Sequence, residues 1–516
     1  MARTVNSDGM DDRAAPQRER GVRYLLVLGG AVLLGLFGGV LSASGRPELA
    51  AIFIGLIIGV LVIASRVAVF WFVLIGGLVV TGVCQLYLPG SRYVRYVVPL
   101  ASFALILHWV MEYFRTRNRK SDIPVPAPIW WALAFALTGL ISVLINLSDP
   151  AVAVIGMKDY FQMWPFFLSI VFLRWNQSFA KNLFRGLLVI ALVQLPFVVH
   201  QYLFLVPLRR GFGQGLGTEI VPVDVVAGTF GALLLGGGNN AVLAAFQVII
   251  VGFLLALWKN GVVSLWKVAL LSLLLLSPML VNEAKVAVLY LPLAFIVVFY
   301  RDIAVKPIKF IVAGSAMTGV LAALMTAIIL AHPTGDLHSV EDLVNFVVAR
   351  QTADVSERQG QYSELSRVTA LTFWAKEHVT ANPANTLLGH GMGASREREG
   401  GITTADTLAD KRYRGLRIGY TALSALLWDT GIVGMIMVLG MFASTFFTAG
   451  RLSQHYRDKD PFKTSLFEGA QASMAVLTLS LAHKDFFITN IPFQTLAYTL
   501  IGFIAYSWLR VERGEV

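Results

Sequence analysis

The 516-residue chain has a single cysteine, Cys84, and few charged residues. One cysteine excludes an intrachain disulfide and any metal site built from several thiolates of the same chain. Asp, Glu, Lys and Arg make up 14% of the residues, whereas about 25% is usual in soluble domains. These shortages exclude a disulfide-stabilised scaffold and an ordinary soluble enzyme.

Apolar residues are in excess instead. They make up 56% of the chain, and the mean hydropathy is +0.68. A helix needs about 20 apolar residues to cross the hydrocarbon core of a bilayer. The apolar runs predict about fourteen transmembrane helices, near 22–42, 48–65, 67–88, 94–114, 126–146, 153–173, 182–205, 240–258, 262–281, 284–300, 309–331, 418–447, 466–483 and 487–508. The predicted fold class is therefore all-α, a polytopic membrane helical bundle.

Basic residues between the spans predict the orientation, because short cytoplasmic loops are enriched in Lys and Arg. With the N-terminus inside and fourteen alternating spans, the basic loops all fall inside. Their residues are Arg115, Arg117, Arg119, Lys120, Arg174, Lys181, Arg185, Arg301, Lys306, Lys309, Arg451, Arg457, Lys459 and Lys463. Both termini are then cytoplasmic, and the net charge of +11 reflects topology rather than nucleic-acid binding.

The spans divide the chain into six segments. Residues 1–21 are predicted to be a disordered cytoplasmic N-terminus. Transmembrane helices occupy 22–205, 241–331 and 418–509. Two outer loops separate them, 206–240 and the larger 332–417, in which 362–379 reads as an amphipathic helix. After Pro383, glycines 389, 391 and 393 predict a flexible turn around His390.

Ionisable residues at membrane depth are costly and usually functional, although snorkelling and local ion pairing are the alternative explanation. Lys158, Glu283 and Lys285 interrupt apolar runs near the predicted outer face, and Asp429 lies inside its span. The outer loops add basic residues, notably Arg209, Arg210, Arg367 and Arg417.

Outward-facing cations suit a lipid substrate that carries phosphate. Transfer of a sugar from a polyprenyl diphosphate requires positive charge at the leaving group, and the candidates are Lys158, Arg209, Arg210, Lys285, Arg367 and Arg417. The attacking hydroxyl requires a general base, for which Glu283, His390 and Asp429 remain open. Because the sequence has no dense Asp/His cluster, we expect Lys and Arg to replace a divalent cation, with no metal or other cofactor.

The layout resembles the O-antigen polymerase/ligase superfamily of bacterial inner membranes, within the membrane glycosyltransferase-C group. Similar members carry an Arg, a Trp, a Pro and a glycine cluster in one large periplasmic loop, matched here by Arg367, Trp374, Pro383 and GHGMG at 389–393. An acidic residue with Gly-x-x-Gly follows, matched by Asp429, Gly431 and Gly434. The resemblance covers about 240–510, with Lys285 where an upstream Arg is typical.

This resemblance implies a polymerase that transfers a glycan from undecaprenyl diphosphate to an incoming lipid-linked repeat unit at the periplasmic face. Arg367, Glu283 and His390 would then be catalytic, and Trp374, Tyr420 and Asp429 would line the acceptor cavity. Expected partners are the lipid-linked oligosaccharide, membrane lipids, and a flippase and chain-length regulator of the same pathway.

Two alternatives remain open. The first is a ligase with a lipid or protein acceptor. Ligases of the superfamily carry His-Asn about ten residues before the acidic motif, where this chain has Gly419 and Tyr420. The second is a non-enzymatic flippase or transporter, although transporters usually place their charges near the bilayer midplane.

Overall fold

The computed structural model describes residues 65–88, 94–116, 124–216, 222–234, 237–282, 284, 286–305, 307–308, 319, 341, 357–358, 361–362, 365–379, 383–397 and 406–515. Most of these residues are helical, so the all-α fold class is confirmed for them. The N-terminal segment 1–21, the span 22–42, nearly all of 48–65 and 309–331, and the predicted site residues Glu283 and Lys285 lie outside the described residues.

The first part of the bundle runs to residue 216. Its helices are α1 Arg66–Ile75, α2 Thr81–Tyr87, α3 Val94–Thr116, α4 Ala127–Ile145, α5 Pro150–Phe161, α6 Trp164–Phe172, α7 Phe179–His200 and α8 Val206–Leu216. Short π-helical segments, Gly76–Val80 and Gln201–Leu205, join α1 to α2 and α7 to α8.

The second part begins after a 3-10 turn, Pro222–Val225. Its helices are α9 Asn240–Lys259, α10 Leu265–Leu276, α11 Pro278–Val281, α12 Ala287–Val305, α13 Arg367–His378, α14 Pro383–Leu388, α15 Leu408–Arg412, α16 Ala422–Tyr456, α17 Pro461–Ser480, α18 Phe486–Thr489 and α19 Ile491–Glu512. A small antiparallel hairpin pairs β1 Glu357–Arg358 with β2 Gln361–Tyr362.

Seven stretches within the described residues are long and apolar enough to cross a membrane, which makes the chain a membrane protein. They are Arg66–Tyr87, Arg95–Phe114, Ala127–Ile145, Phe179–Gly211, Asn240–Lys259, Ala287–Val305 and Ala422–Tyr456. On α4, apolar side chains such as Trp130, Leu137 and Leu144 are exposed, as expected for a helix that faces lipid. The count of fourteen spans stays a prediction.

Two predicted spans are interrupted by proline. The run 153–173 is divided into α5 and α6, with Pro165 in the first turn of α6, and the run 262–281 is divided into α10 and α11 at Pro278. Proline lacks the N–H that would continue the helix and disfavours helical geometry in the residue before it. Hydropathy alone does not register these breaks.

One central helix carries several buried polar side chains. Helix α17 packs against α9, α12 and α16, and it buries Ser465, Ser473 and Gln471. The Ser473 hydroxyl donates to the Gly469 carbonyl oxygen of its own helix at 2.7 Å. Because neighbouring helices surround it, α17 can carry hydroxyl and amide side chains that a lipid-facing helix would exclude.

The described residues of the segment predicted to be the first outer loop, 206–240, are largely helical or buried. Helix α8 continues through Leu216, and Val225, Val226, Ala227 and Phe230 are fully buried. Gln201 of the preceding π-helical segment accepts from the Ala227 and Gly228 N–H groups, at 3.0 and 2.8 Å. Buried non-helical backbone of this kind requires such partners.

Candidate functional site

A break in α16 receives the glycine-rich segment that precedes it. Gly431 has φ 68° and ψ −169° inside the helix, which leaves nearby carbonyl groups without helical partners. The backbone N–H of His390 donates to the Trp428 oxygen at 2.8 Å, and that of Gly391 donates to the Asp429 oxygen at 3.1 Å. The loop 389–395 therefore replaces the hydrogen bonds that α16 loses at its break.

The glycines in and around this docked loop allow its backbone to pack directly against the backbones of α5 and α16. A Cβ on Gly389, where φ is +70°, would lie 2.5 Å from the Asp429 carbonyl carbon. A Cβ on Gly431 would meet the Leu387 backbone, and one on Gly156 of α5 would meet the Met392 backbone. The expectation of a flexible turn around His390 is thus wrong, because the segment is wedged between α4, α5 and α16.

Asp429 fastens the same junction through both of its carboxylate oxygens. The Ser395 backbone N–H donates to Oδ1 at 2.7 Å, and the Tyr160 hydroxyl donates to Oδ2 at 3.0 Å. The Ser142 hydroxyl of α4 donates to the Asp429 backbone oxygen at 2.9 Å. Asp429 therefore connects α16 to α4, α5 and the docked loop, and it also borders a cavity.

That cavity contains both acidic and basic groups. Its lining includes Asp159, Arg396, Asp429, Asp485 and Thr489. Arg396 of the large loop forms an ion pair with Asp159 of α5. The cavity is thus closed on one side by the docked segment and on the other by the turn before α18.

Two cations balance Asp159. Lys158 Nζ lies 2.6 Å from Asp159 Oδ1 and 5.0 Å from the centre of the Tyr96 ring, while Arg396 holds Asp159 Oδ2. Lys158, predicted to bind diphosphate, is therefore next to the cavity but already paired with a carboxylate. Such a pairing positions the carboxylate and reduces the charge that Lys158 offers to a substrate.

Arg367 occupies the first turn of α13, where Ser366 caps the helix through the Thr369 N–H. Its Nε donates to the His483 carbonyl oxygen at 2.7 Å, and its Nη2 lies 3.5 Å from His483 Nε2. The guanidinium also lies over the Tyr420 ring, 5.7 Å from its centre. The structure thus brings together Arg367 and Tyr420, and it adds His483, which the sequence did not single out.

His483 is neutral in this environment. Burial, followed by the positive charges of Arg367 and Lys484, lowers its pKa to about 3. A neutral imidazole accepts a hydrogen bond from a guanidinium at one ring nitrogen, which suits the approach of Arg367. The turn 481–485 is itself held to the start of α16, because the Ala422 N–H donates to the Lys484 oxygen at 3.2 Å.

His390 forms a buried pair with His378. Their Nε2 atoms are 2.7 Å apart, His378 Nδ1 lies 2.9 Å from the Trp374 oxygen, and Asn385 Nδ2 lies 3.1 Å from His390 Nδ1. One directed arrangement satisfies all three contacts: Asn385 donates to His390, His390 donates to His378, and His378 donates to the Trp374 carbonyl. Both rings are neutral in it.

The pKa values agree with this arrangement. Burial, followed by the neighbouring His378 and Arg412, lowers the pKa of His390 to about 4, and burial lowers that of His378. Since both ring nitrogens of His390 have partners, the ring must leave one of them before it can accept a proton from a substrate. The catalytic role predicted for His390 stays a prediction, and its present contacts position the docked loop.

Trp374 belongs to an aromatic cluster around this pair. Its ring stacks on His378 with centroids 5.1 Å apart, and His378 meets Trp428 edge-on at 4.5 Å. Trp374 is buried, so in this conformation it packs the large loop against α16 and does not face the cavity.

Three further predicted cations, Arg209, Arg210 and Arg417, belong to the described residues and are not part of the cavity lining. Arg209 is buried, at 2% exposure, and donates to the Leu233 carbonyl oxygen at 3.1 Å within the segment 206–240. Arg210 and Arg417 are exposed, and the Arg417 backbone N–H donates to Glu397 at 3.0 Å.

The sequence did not assign roles to Asp159, Arg396, His483 or Asp485. The polar turn Lys484–Asp485 within an apolar region was the one signal that pointed to the last two. In the part of the chain that the structure describes, no group of three or more His, Cys, Asp and Glu residues could hold a metal ion.

Comparison with known proteins adds no relative to this description. The chain matches no protein-family model and none of the curated proteins.

Proposed function

We propose that the chain is a membrane glycosyltransferase that lengthens a glycan carried on undecaprenyl diphosphate. It would transfer the growing chain to an incoming lipid-linked repeat unit, as a polysaccharide polymerase. One observation carries the proposal: the Arg367 contact and the charged cavity are adjacent along the turn 483–485. His483 binds Arg367, and Asp485 lines the cavity.

This adjacency suits a reaction between two lipid-linked glycans. The diphosphate leaving group gains negative charge as the glycosidic bond breaks, and preorganised cations stabilise that charge. Arg367 offers a planar guanidinium, which can bind phosphate oxygens in pairs. Lys484, the residue directly after His483, adds a second positive charge. Contributions from Lys285, Arg209, Arg210 and Arg417 stay predictions.

The proposal includes a location in a bacterial inner membrane, with both termini cytoplasmic and the site periplasmic. Arg451 lies 22 residues after Asp429 on α16, a rise of roughly 33 Å along a helix. That distance matches the thickness of the hydrocarbon core, about 30 Å. The basic end of α16 and the cavity therefore suit opposite faces of a membrane.

A complementation experiment tests the proposal. Cells that lack this chain should lose long polysaccharide and accumulate single lipid-linked repeat units, and the wild-type gene should restore the polymer ladder. Arg367→Ala should lower the elongation rate by about 10²–10³-fold. Arg367→Lys should retain part of the rate because the charge remains.

Arg451→Ala, at an exposed position on the far end of α16, is the matched control and should behave as wild type at equal protein level. A normal ladder in the deletion strain, or in Arg367→Ala, would contradict the proposal. Repeat units that reach the outer face without becoming longer would support a flippase instead.

A ligase is the second candidate, because a specific contact favours it. The chain lacks the ligase histidine before the acidic motif, but the His483 ring lies 3.5 Å from Arg367 Nη2, and Arg367 lies over Tyr420. The imidazole of His483 thus lies in the same cluster as Tyr420, the position near which ligases carry their histidine. The acceptor decides between the two: glycan attached to a lipid anchor or protein indicates a ligase, and glycan on polyprenyl diphosphate a polymerase.

A further inference from the structure

The cavity beside Asp429 contains three carboxylates, and two of them are fully engaged. Both oxygens of Asp159 hold cations, Lys158 at 2.6 Å and Arg396. Both oxygens of Asp429 accept hydrogen bonds, from the Ser395 N–H at 2.7 Å and the Tyr160 hydroxyl at 3.0 Å. A proton on either carboxylate would remove its negative charge and weaken contacts that hold the bundle together.

Asp485 differs from these two. Among the described residues, its side chain receives one side-chain hydrogen bond, from the Thr489 hydroxyl to Oδ2 at 3.0 Å. Burial raises its pKa, and the neighbouring Lys484, Thr489 and Arg396 oppose that rise. Because one of its oxygens has no side-chain hydrogen bond among the described residues, this carboxylate can accept a proton without giving up a contact between helices.

The position of Asp485 is fixed from both sides. Asn490, five residues later, caps α19 by accepting from the Phe493 N–H at 2.8 Å, and the Lys484 carbonyl receives the Ala422 N–H at 3.2 Å. Gln494 of α19 ties the same turn to α5, because its amide donates to the Asp159 and Ile488 carbonyl oxygens at 2.7 and 3.0 Å. General bases act best from such preorganised positions.

We propose that the cavity is the subsite for the terminal sugar of the acceptor glycan and that Asp485 is the general base that deprotonates its attacking hydroxyl. This inference rests on the proposed function and extends it to a residue and a ligand class. The carboxylates, guanidinium and hydroxyl that line the cavity offer the hydrogen-bond acceptors and donors that sugar hydroxyls require.

The reaction balances without a further reactant. The acceptor O–H bond breaks and its proton passes to Asp485. The acceptor oxygen forms a bond to the anomeric carbon of the donor glycan, and the bond from that carbon to the diphosphate oxygen breaks. The electron pair leaves with polyprenyl diphosphate, whose charge Arg367 meets. Arg396, Thr489 and Tyr160 supply polar groups in or around the cavity that can orient sugar hydroxyls.

The test uses the full chain, purified in detergent and reconstituted, with lipid-linked repeat units isolated from cells that lack this chain. Asp485→Asn keeps the size of the side chain and an oxygen that accepts from Thr489, so folding should persist. Its elongation rate should fall by about 10²–10⁴-fold, while its affinity for the lipid-linked units stays within about threefold. Asp485→Glu should recover part of the rate.

The dependence of the elongation rate on pH distinguishes a general base from a residue with a structural role, because loss of a structural role would not change the shape of the pH profile. The wild-type rate should fall at low pH as Asp485 becomes protonated, and the residual rate of Asp485→Asn should lack that limb. Asp458→Asn, which alters an exposed carboxylate near the end of α16, is the matched control and should keep wild-type rate and profile.

The outcomes separate the two levels of the proposal. If the wild-type protein elongates glycans and Asp485→Asn does so at the normal rate, Asp485 is not the general base, but the proposal of a polymerase is unaffected. Loss of rate together with loss of substrate affinity would also overturn the base, because Asp485 would then act in binding or folding. A folded wild-type protein that elongates nothing would overturn both.

Discussion

The docking of the 389–395 loop into the broken helix α16 gives the sharpest structural prediction. In Gly389→Ala, the new methyl group would lie 2.5 Å from both Asp429 C and Thr430 N, backbone atoms that cannot rotate away. The alanine would also occupy the left-handed region, at a cost of about 1–2 kcal/mol. To relieve the clash, the loop must move and lose its two hydrogen bonds to Trp428 and Asp429.

Each of those bonds contributes about 0.5–1.5 kcal/mol, so the docked state loses about 2–5 kcal/mol in total. Labelling of a cysteine in the loop measures this loss. Ser395 is 5% exposed, and Ser395→Cys is nearly isosteric. In a Cys84→Ser background, maleimide should label position 395 roughly 30- to 3,000-fold faster when Gly389→Ala is added, since about 1.4 kcal/mol is tenfold.

Gly415→Ala is the matched control. Gly415 also has a left-handed backbone, with φ +85°, but a Cβ there meets no heavy atom within 4 Å. Gly415→Ala should therefore introduce backbone strain without a steric clash, and position 395 should be labelled at nearly the parent rate. Equal labelling in the Gly389→Ala and parent proteins would refute the docked loop.

Other consequences concern stability. Asp429→Asn should lower the free energy of unfolding by about 1–3 kcal/mol, seen as a lower unfolding midpoint in detergent, whereas Asp458→Asn should not; equal midpoints would contradict the fastening role. Lys259→Met should cost about 3 kcal/mol because it leaves Glu468, 3.0 Å from Lys259 Nζ, without its cation. Adding Glu468→Met should restore part of that loss, and no recovery would count against a direct pair. The pKa of His390 is about 4 when folded and about 6.5 when unfolded, so the unfolded state binds the proton more readily. Stability should therefore fall as pH drops from about 6.5 to about 4, and His390→Asn should show a shallower slope in unfolding against pH.

The periodic and compositional features of the bundle could be predicted from the sequence. The apolar runs 126–146 and 240–258 correspond to α4, Ala127–Ile145, and α9, Asn240–Lys259. Bilayer thickness sets the length of such runs, so hydropathy reports them directly. Proline at 165 and 278 interrupts two other runs, and a windowed average smooths over that local backbone effect.

The site was predictable only in part. Arg367 and Tyr420 were singled out and do meet, and Asp429 does border a cavity. The partners that define their geometry come from distant parts of the chain: Arg396 and Asp159 are 237 residues apart. No periodicity or spacing links such positions, because their contact depends on how the loop docks against α5 and α16.

The histidine pair and the cavity illustrate the same point. His390 was noticed for its glycine neighbours, yet its chemistry is set by His378 and Asn385, which occupy both of its ring nitrogens. The distinction of Asp485 from Asp159 and Asp429 appears only when the partners of each carboxylate are compared.

Reconstitution of the purified chain with lipid-linked repeat units is the direct test of glycan elongation. A polymerase gives a ladder of longer glycans on polyprenyl diphosphate, with one polyprenyl diphosphate released for each linkage formed, and Arg367→Ala gives no ladder. Repeat units that remain single with folded wild-type protein, or a ladder that is unchanged in Arg367→Ala, would contradict the proposed function.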